Sequence, residues 1–303
     1  MAAPVPNREI IHQYLRHAKK FPHIWCPGCG NGIVLGCLLR AIHEMGWKKD
    51  DVMMASGIGC SSRAPVYVDF NTLHTAHGRA LTFATGVKLA KPQLHTVVVM
   101  GDGDALGIGG NHFIHACRRN IDLTAVVVNN FIYGMTGGQQ SPTTPQGAKA
   151  TTATLGALEQ PFDIAQLAAA AGATFVARTT TYHVRELETL LVKAFLHQGF
   201  SVVEVIASCP TCYGRRNRLG GAVEMMRWQK EAAVSVEQAQ KLPPAERAGR
   251  IVTGIIAQRE APEYVTEYRK LCATAREAAQ QARDRPVPQP VTERADKAAD
   301  EPR

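Results

Sequence analysis

The chain has 303 residues, 45% of them hydrophobic and 20% charged, which suits one large buried core with a small appendage. No apolar run is long enough to cross a bilayer, and the opening MAAPVPNREIIHQYLRHAKK lacks the apolar stretch of a signal peptide, so a cytoplasmic protein engaging no membrane is expected. The formal net charge of +8 suits acidic proteins or phosphates, and no helix-turn-helix, aromatic RNP-like strand or paired zinc finger speaks for nucleic acid.

Residues 1–25 form an N-terminal segment ahead of the first cysteine pair. In NGIVLGCLLRAIHEMG, Ile33, Leu35, Leu38, Leu39 and Ile42 recur near the helical period, and Gly46 can end the helix. VMMAS is a short apolar strand that runs directly into GIGCSS. HTAHGRALTFATGVKLA predicts a helix rich in small residues, and HTVVVMGDG a strand buried on both faces. Gly107 to Arg119 reads as the next helix and LTAVVVNN as another buried strand. After a long polar loop, FDIAQLAAAAGATFVAR predicts a helix and a strand, and VRELETLLVKAFLHQGFSVVEVIASC repeats the pair. The alternation predicts an α/β domain over residues 26–212, doubly wound around a mainly parallel sheet. Residues 213–284 read as a helical C-terminal extension, and the proline-rich, polar residues 285–303 as a disordered tail.

Ligands of an open parallel sheet sit beyond the carboxyl ends of its strands. One strand here delivers Gly101-Asp102-Gly103-Asp104 and the next delivers Asn129-Asn130, one right-handed crossover later. Asp102 and Asn130 can therefore face each other across neighbouring strand ends. A carboxylate and an amide oxygen suit Mg²⁺ holding a diphosphate, and the amides of Gly103 and Asp104 can approach phosphate without side-chain obstruction. GDG alone fits a simple turn. GDG at one strand end with NN at the next resembles the thiamine diphosphate signature, and the resemblance implies Asp102, Asn130 and the backbone carbonyl of Ile132 as the magnesium ligands.

WCPGCG places Cys26 and Cys29 so that both sulfurs can face one metal centre, and SCPTC supplies a second pair, Cys209 and Cys212. A redox CxxC or a four-thiolate zinc site in a basic-surfaced binding protein fits these pairs too. Cys60, in the glycine-rich GIGCSS, adds a thiol on the cofactor side, where an electron carrier is useful and a zinc staple is not. Cys37, Cys117 and Cys272 lie in helical patterns and read as buried fillers.

In order, WCPGCGNG, GIGCSSR, HGRALTFATGVKLA, GDGDALGIGGNH, NNFIYGMTGGQ and SCPT resemble the β subunits of the 2-oxoacid:ferredoxin oxidoreductases over roughly residues 20 to 217. The resemblance implies the pyrophosphate-type domain of the thiamine diphosphate-binding fold. It also implies a 4Fe–4S cluster on Cys26, Cys29, Cys60 and Cys209, with Cys212 as an alternative to Cys209. Around the cofactor it places Ile58, Gly59, Cys60, Ser61, His77, Gly103, Asp104, Gly134, Met135 and Thr136. The implied reaction decarboxylates a 2-oxo acid on thiamine diphosphate, passes electrons through the cluster to ferredoxin and transfers the acyl group to coenzyme A. CPTCYGRRN and the short length are most similar to the 2-oxoglutarate members, with pyruvate the alternative substrate and Arg63 a candidate cation for a second carboxylate. The glutamate that activates the cofactor belongs to a pyrimidine-binding domain for which this chain has no room. An α partner is therefore expected, in an αβ or (αβ)₂ assembly, and no catalytic residue is assigned here. A non-redox thiamine decarboxylase or synthase subunit shares GDG…NN but needs no ligating cysteines.

Overall fold

Runs of Val, Met and Ala form the central strands, because β-branched and apolar side chains suit a pleated surface covered on both faces. In the computed structural model, which describes residues 7–19 and 22–284, ten strands occur among the described residues. They are β1 (Val52–Ser56), β2 (Asn71–His74), β3 (His95–Gly101), β4 (Leu123–Asn129), β5 (Ile132–Tyr133), β6 (Gln139–Gln140), β7 (Phe175–Thr180), β8 (Phe200–Ile206), β9 (Ala233–Ser235) and β10 (Ile251–Gln258). Eight form one sheet in the order β2-β1-β3-β4-β8-β7-β10-β9, while β5 and β6 make a separate hairpin. Neighbours from β2 to β7 all run parallel, and β10 joins β7 antiparallel.

Alternation along the strands builds two cores. Val97 and Val99 of β3, with Val126 and Val128 of β4, pack with the helices Asn31–Glu44 and Val184–Leu196. Val98, Met100, Ala125 and Val127 pack on the other face with the helices Ala80–Ala90, Gly110–Arg119 and Ile164–Ala170. Each such valine, fully buried, contributes about 1.5–3 kcal/mol relative to exposure. Cys37 and Cys117 lie inside these cores, as fillers should; Cys272 is only half-buried.

The elements follow the predicted order, with three differences. The helix read from His74 begins only at Ala80, because Asn71–His74 pairs with β1 and a turn at Gly78 (φ +73) intervenes. Residues 103–108 form a π-helical turn, so the following helix starts at Gly110. The extension read as helical also contributes β9 and β10, the latter a β-branched run with a bulge between Ile255 and Ala257. The first structural unit ends at Val265; from Thr266 a second unit carries the rest of the helix Tyr264–Arg283. The tail expected at residues 285–303 lies outside the described residues.

Candidate cofactor site

The parallel register brings the predicted strand ends together: Gly101 of β3 pairs with Val128 of β4, and Asn129 of β4 with Ile206 of β8. One pocket beyond these ends is lined by Ile58, Gly59, Cys60, Ser61, His77, Asp102, Gly103, Asp104, Asn130, Ile132, Gly134, Met135 and Thr136. All the residues expected around the cofactor and its magnesium therefore share one cavity. Tyr133, which sequence reasoning passed over, lines it as well. Its ring lies so close to Gly103 that a Cβ there would overlap it, and its hydroxyl donates to the Gly103 carbonyl at 3.1 Å. Glycine at 103 is thus a requirement of close approach rather than of turn geometry. Arg63 is half-buried in the turn after Cys60 and is not among the lining residues.

Asp102 is fully enclosed, and burial pushes its pKa up to about 6. Two hydroxyls hold it: Ser141 Oγ and Thr143 Oγ1 each donate to Oδ2 at 2.6 Å. Both donors come from a loop distant in sequence and were not anticipated. A chain of further bonds fixes the neighbouring amide. Thr143 Oγ1 also lies 2.9 Å from Asn129 Oδ1, Asn129 Nδ2 donates to Glu204 Oε1 at 2.9 Å, and Arg178 Nε donates to Glu204 Oε2 at 2.7 Å. The first asparagine therefore braces the loop. The second lines the pocket, its Oδ1 receiving the Ile132 amide at 3.3 Å. Directly after them Phe131 adopts φ +65, a strained conformation for a bulky residue, with its amide donating to Asn129 Oδ1 at 3.2 Å.

Asp104 Oδ1 takes three donors, His77 Nδ1 at 2.6 Å and the amides of Gly78 at 2.6 Å and Ile58 at 3.3 Å. Asp104 Oδ2 and Ser61 Oγ are buried without a hydrogen-bond partner among the described residues. Leaving such groups unpaired costs about 1–3 kcal/mol each. A donor or cation would satisfy the carboxylate oxygen and a polar ligand atom the hydroxyl, so the lining fits a polar, metal-bound cofactor.

The thiols converge on the same rim from three segments. Cys60 follows β1, Cys209 follows β8, and Cys26 and Cys29 precede the helix Asn31–Glu44. The CPGC loop is pinned to the β8 exit: the Gly30 amide donates to the Ser208 carbonyl at 3.0 Å and Ser208 Oγ to the Gly28 carbonyl at 2.9 Å. A Cβ on Gly134 would lie 3.5 Å from Cys60 Sγ and 3.8 Å from Cys209 Sγ, and Cys212 Sγ donates to the Gly134 carbonyl at 3.4 Å. Burial first, then repulsion from the neighbouring thiols, pushes Cys60 up to about 12. Burial likewise raises Cys29, with smaller contributions from Cys209 and Cys26. Among the described residues no three His, Cys, Asp or Glu side chains group around a single ion. The four expected thiols nevertheless lie close enough to act on one another, and cations between them would offset the cost of ionising them.

Residues 53–205 match the family model described as the thiamine pyrophosphate enzyme, C-terminal TPP binding domain. The 2-oxoglutarate synthase subunit KorB of Methanocaldococcus jannaschii is 50% identical over 263 residues, covering 86% of this chain and 97% of that one. The subunit of the same name from Archaeoglobus fulgidus is 62% identical over 198 residues, covering 65% of this chain and 73% of its own. Among solved structures, a 2-oxoglutarate:ferredoxin oxidoreductase from Magnetococcus marinus, with 2-oxoglutarate, coenzyme A and succinyl-CoA bound, superposes with a TM-score of 0.79 at 32% identity. That match covers 91% of this chain and 96% of the other. No helix among the described residues is long and apolar enough to cross a membrane. The chain belongs to the 2-oxoacid:ferredoxin oxidoreductase family as a β subunit similar to the 2-oxoglutarate synthase subunits, and carries that oxidoreductase's thiamine diphosphate-binding domain.

Proposed function

We propose that this β subunit, with an α partner, converts 2-oxoglutarate, coenzyme A and two oxidised ferredoxins to succinyl-CoA, CO₂, two reduced ferredoxins and a proton, reversibly. The observation that carries the reading is the double position of Cys60, which lines the cofactor pocket while its sulfur lies beside Gly134 together with that of Cys209. Thiamine diphosphate, when bound, supplies the electron sink that lets a 2-oxo acid lose CO₂, and a 4Fe–4S cluster would supply the one-electron exit.

The residues of this chain position and insulate. Asp102, Asn130 and the Ile132 carbonyl would hold Mg²⁺, with Ser141 and Thr143 keeping the Asp102 carboxylate aimed. The backbone amides of Gly103 and Asp104 would meet the diphosphate, and Ile58, Gly59, Ser61, Met135 and Thr136 wall the pocket. His77, held through Nδ1 by Asp104, keeps Nε2 as its second polar atom. Cys26, Cys29, Cys60 and Cys209 would ligate the cluster. The position of Cys209 Sγ beside Gly134 with Cys60 Sγ favours it over Cys212, which spends its proton on the Gly134 carbonyl.

The pairing with an α subunit is tested by reconstitution. Alone, the chain is expected to show no decarboxylation of any 2-oxo acid. With its α partner it should turn over 2-oxoglutarate with a kcat/KM at least about 10-fold above pyruvate. Activity of the isolated chain would remove the need for a partner's glutamate, and a preference for pyruvate would reassign the substrate.

A further inference from the structure

The thiol-bearing rim opens on a surface rich in positive charge. Cys26 is exposed in its loop, and Gly28 of that loop, at φ +77, lies so close to Ala222 that any side chain there would overlap it. The helix Ala222–Ala232 thus starts directly against the CPGC loop. It presents exposed Arg227 and Lys230, the latter 6.0 Å above the Tyr182 ring. The turn after Cys212 adds exposed Arg215, Arg216 and Arg218, and the charge of Arg216 acts on the Cys212 thiol. Asn217, within that turn, ties in exposed Lys149: its Oδ1 accepts from the Lys149 amide at 2.7 Å and its Nδ2 donates to the Lys149 carbonyl at 3.1 Å.

None of these six cations makes an ion pair among the described residues. Of the two acids on the helix, Glu224 is engaged by the Gly221 amide at 2.8 Å, which leaves Glu231. Val223 stands 64% exposed and Leu219 40% exposed among the cations. An apolar centre rimmed by unpaired positive charge is the composition of a transient docking surface rather than of a solvated face.

We infer that this face, formed by the turn 215–218, the helix Ala222–Ala232 and Lys149, docks an acidic one-electron carrier protein over the exposed side of the thiol cluster. The inference rests on reading Cys26, Cys29, Cys60 and Cys209 as cluster ligands. Charge complementarity selects the partner's sign, and the exposed Cys26, in the loop packed against this helix, selects a redox partner over other acidic proteins. Two electrons leave each oxidised 2-oxo acid; two carrier molecules dock in turn and take one each, and the proton passes to solvent.

The test uses the complete αβ complex, comparing wild type with the triple variant Arg215→Glu/Arg227→Glu/Lys230→Glu. Reduction of an acidic ferredoxin and of the small dye methyl viologen is followed at low and high salt. The variant should raise the KM for ferredoxin by roughly 10-fold or more at low salt and flatten its salt dependence, with dye reduction unchanged. Unchanged ferredoxin kinetics would overturn the docking surface. So would loss of the α subunit on size exclusion, which would mark the face as the subunit interface. A wild-type complex unable to reduce the dye would instead overturn the cluster itself, and the docking inference with it.

Discussion

Replacing Asp102 by Asn is expected to stabilise the metal-free chain and to weaken its response to magnesium and thiamine diphosphate. The carboxylate is enclosed, and its pKa is lifted from 3.8 to about 6 by burial. The folded chain therefore holds that proton more tightly than the unfolded chain does. Its contribution to stability is full below pH 4, declines as pH rises through about 6, and thereafter leaves a constant penalty of about 3 kcal/mol. Asn keeps an oxygen for the Ser141 and Thr143 hydroxyls and carries no charge to bury. At pH 7.5 without magnesium, the variant should unfold several degrees above wild type, and the wild-type minus variant difference should vanish below pH 4. With Mg²⁺ and thiamine diphosphate the order reverses. Removal of a charged partner at a buried site costs about 3–5 kcal/mol, so cofactor affinity should fall by roughly 10²–10⁴-fold. Calorimetric titration and thermal unfolding at several pH values check both halves. A variant that binds magnesium and cofactor as tightly as wild type would contradict the assignment.

The second large effect is at Cys60. Cys60→Ala is expected to drop iron below about one atom per chain, abolish the broad visible absorption of the cluster and reduce ferredoxin-linked activity of the αβ complex to background. It should still retain thiamine diphosphate, because the Asp102 and Asn130 side of the pocket is untouched. Cys209→Ala should behave in the same way and Cys212→Ala should keep its iron. The split between lost iron and retained thiamine separates a ligand from a residue that merely supports the fold. Loss of both together, or iron retained in Cys60→Ala, would contradict the ligand assignment.

Much of this site was legible because its chemistry sits at strand ends, where topology converts sequence distance into proximity. Asp102 and Asn130 could be placed face to face because one right-handed crossover between parallel strands admits few arrangements, and β3 and β4 are indeed neighbours. The cysteine spacing and the glycine-rich strand exits likewise carry local signals. Ser141 and Thr143 carry none: QSPTTPQ has the composition of an ordinary loop, and only the fold brings it under Asp102. Glu204 was hidden within an apolar strand, where its pairing with Arg178 and Asn129 depends on register across β7 and β4. β2 was missed because NTLH is short, polar and at the sheet edge; β10 was missed because it lies between two charged helical stretches. Local pattern reports what a segment prefers, whereas an edge strand forms because a neighbour offers hydrogen bonds.

One rim of this subunit would hold both a magnesium-bound thiamine diphosphate and an iron–sulfur cluster. Purifying the αβ complex without oxygen and counting metals, sulfide and thiamine per β chain checks this. About four irons, four sulfides, one magnesium and one thiamine diphosphate are expected. A colourless complex that retains thiamine but no iron, or one carrying zinc on its thiols, would contradict it.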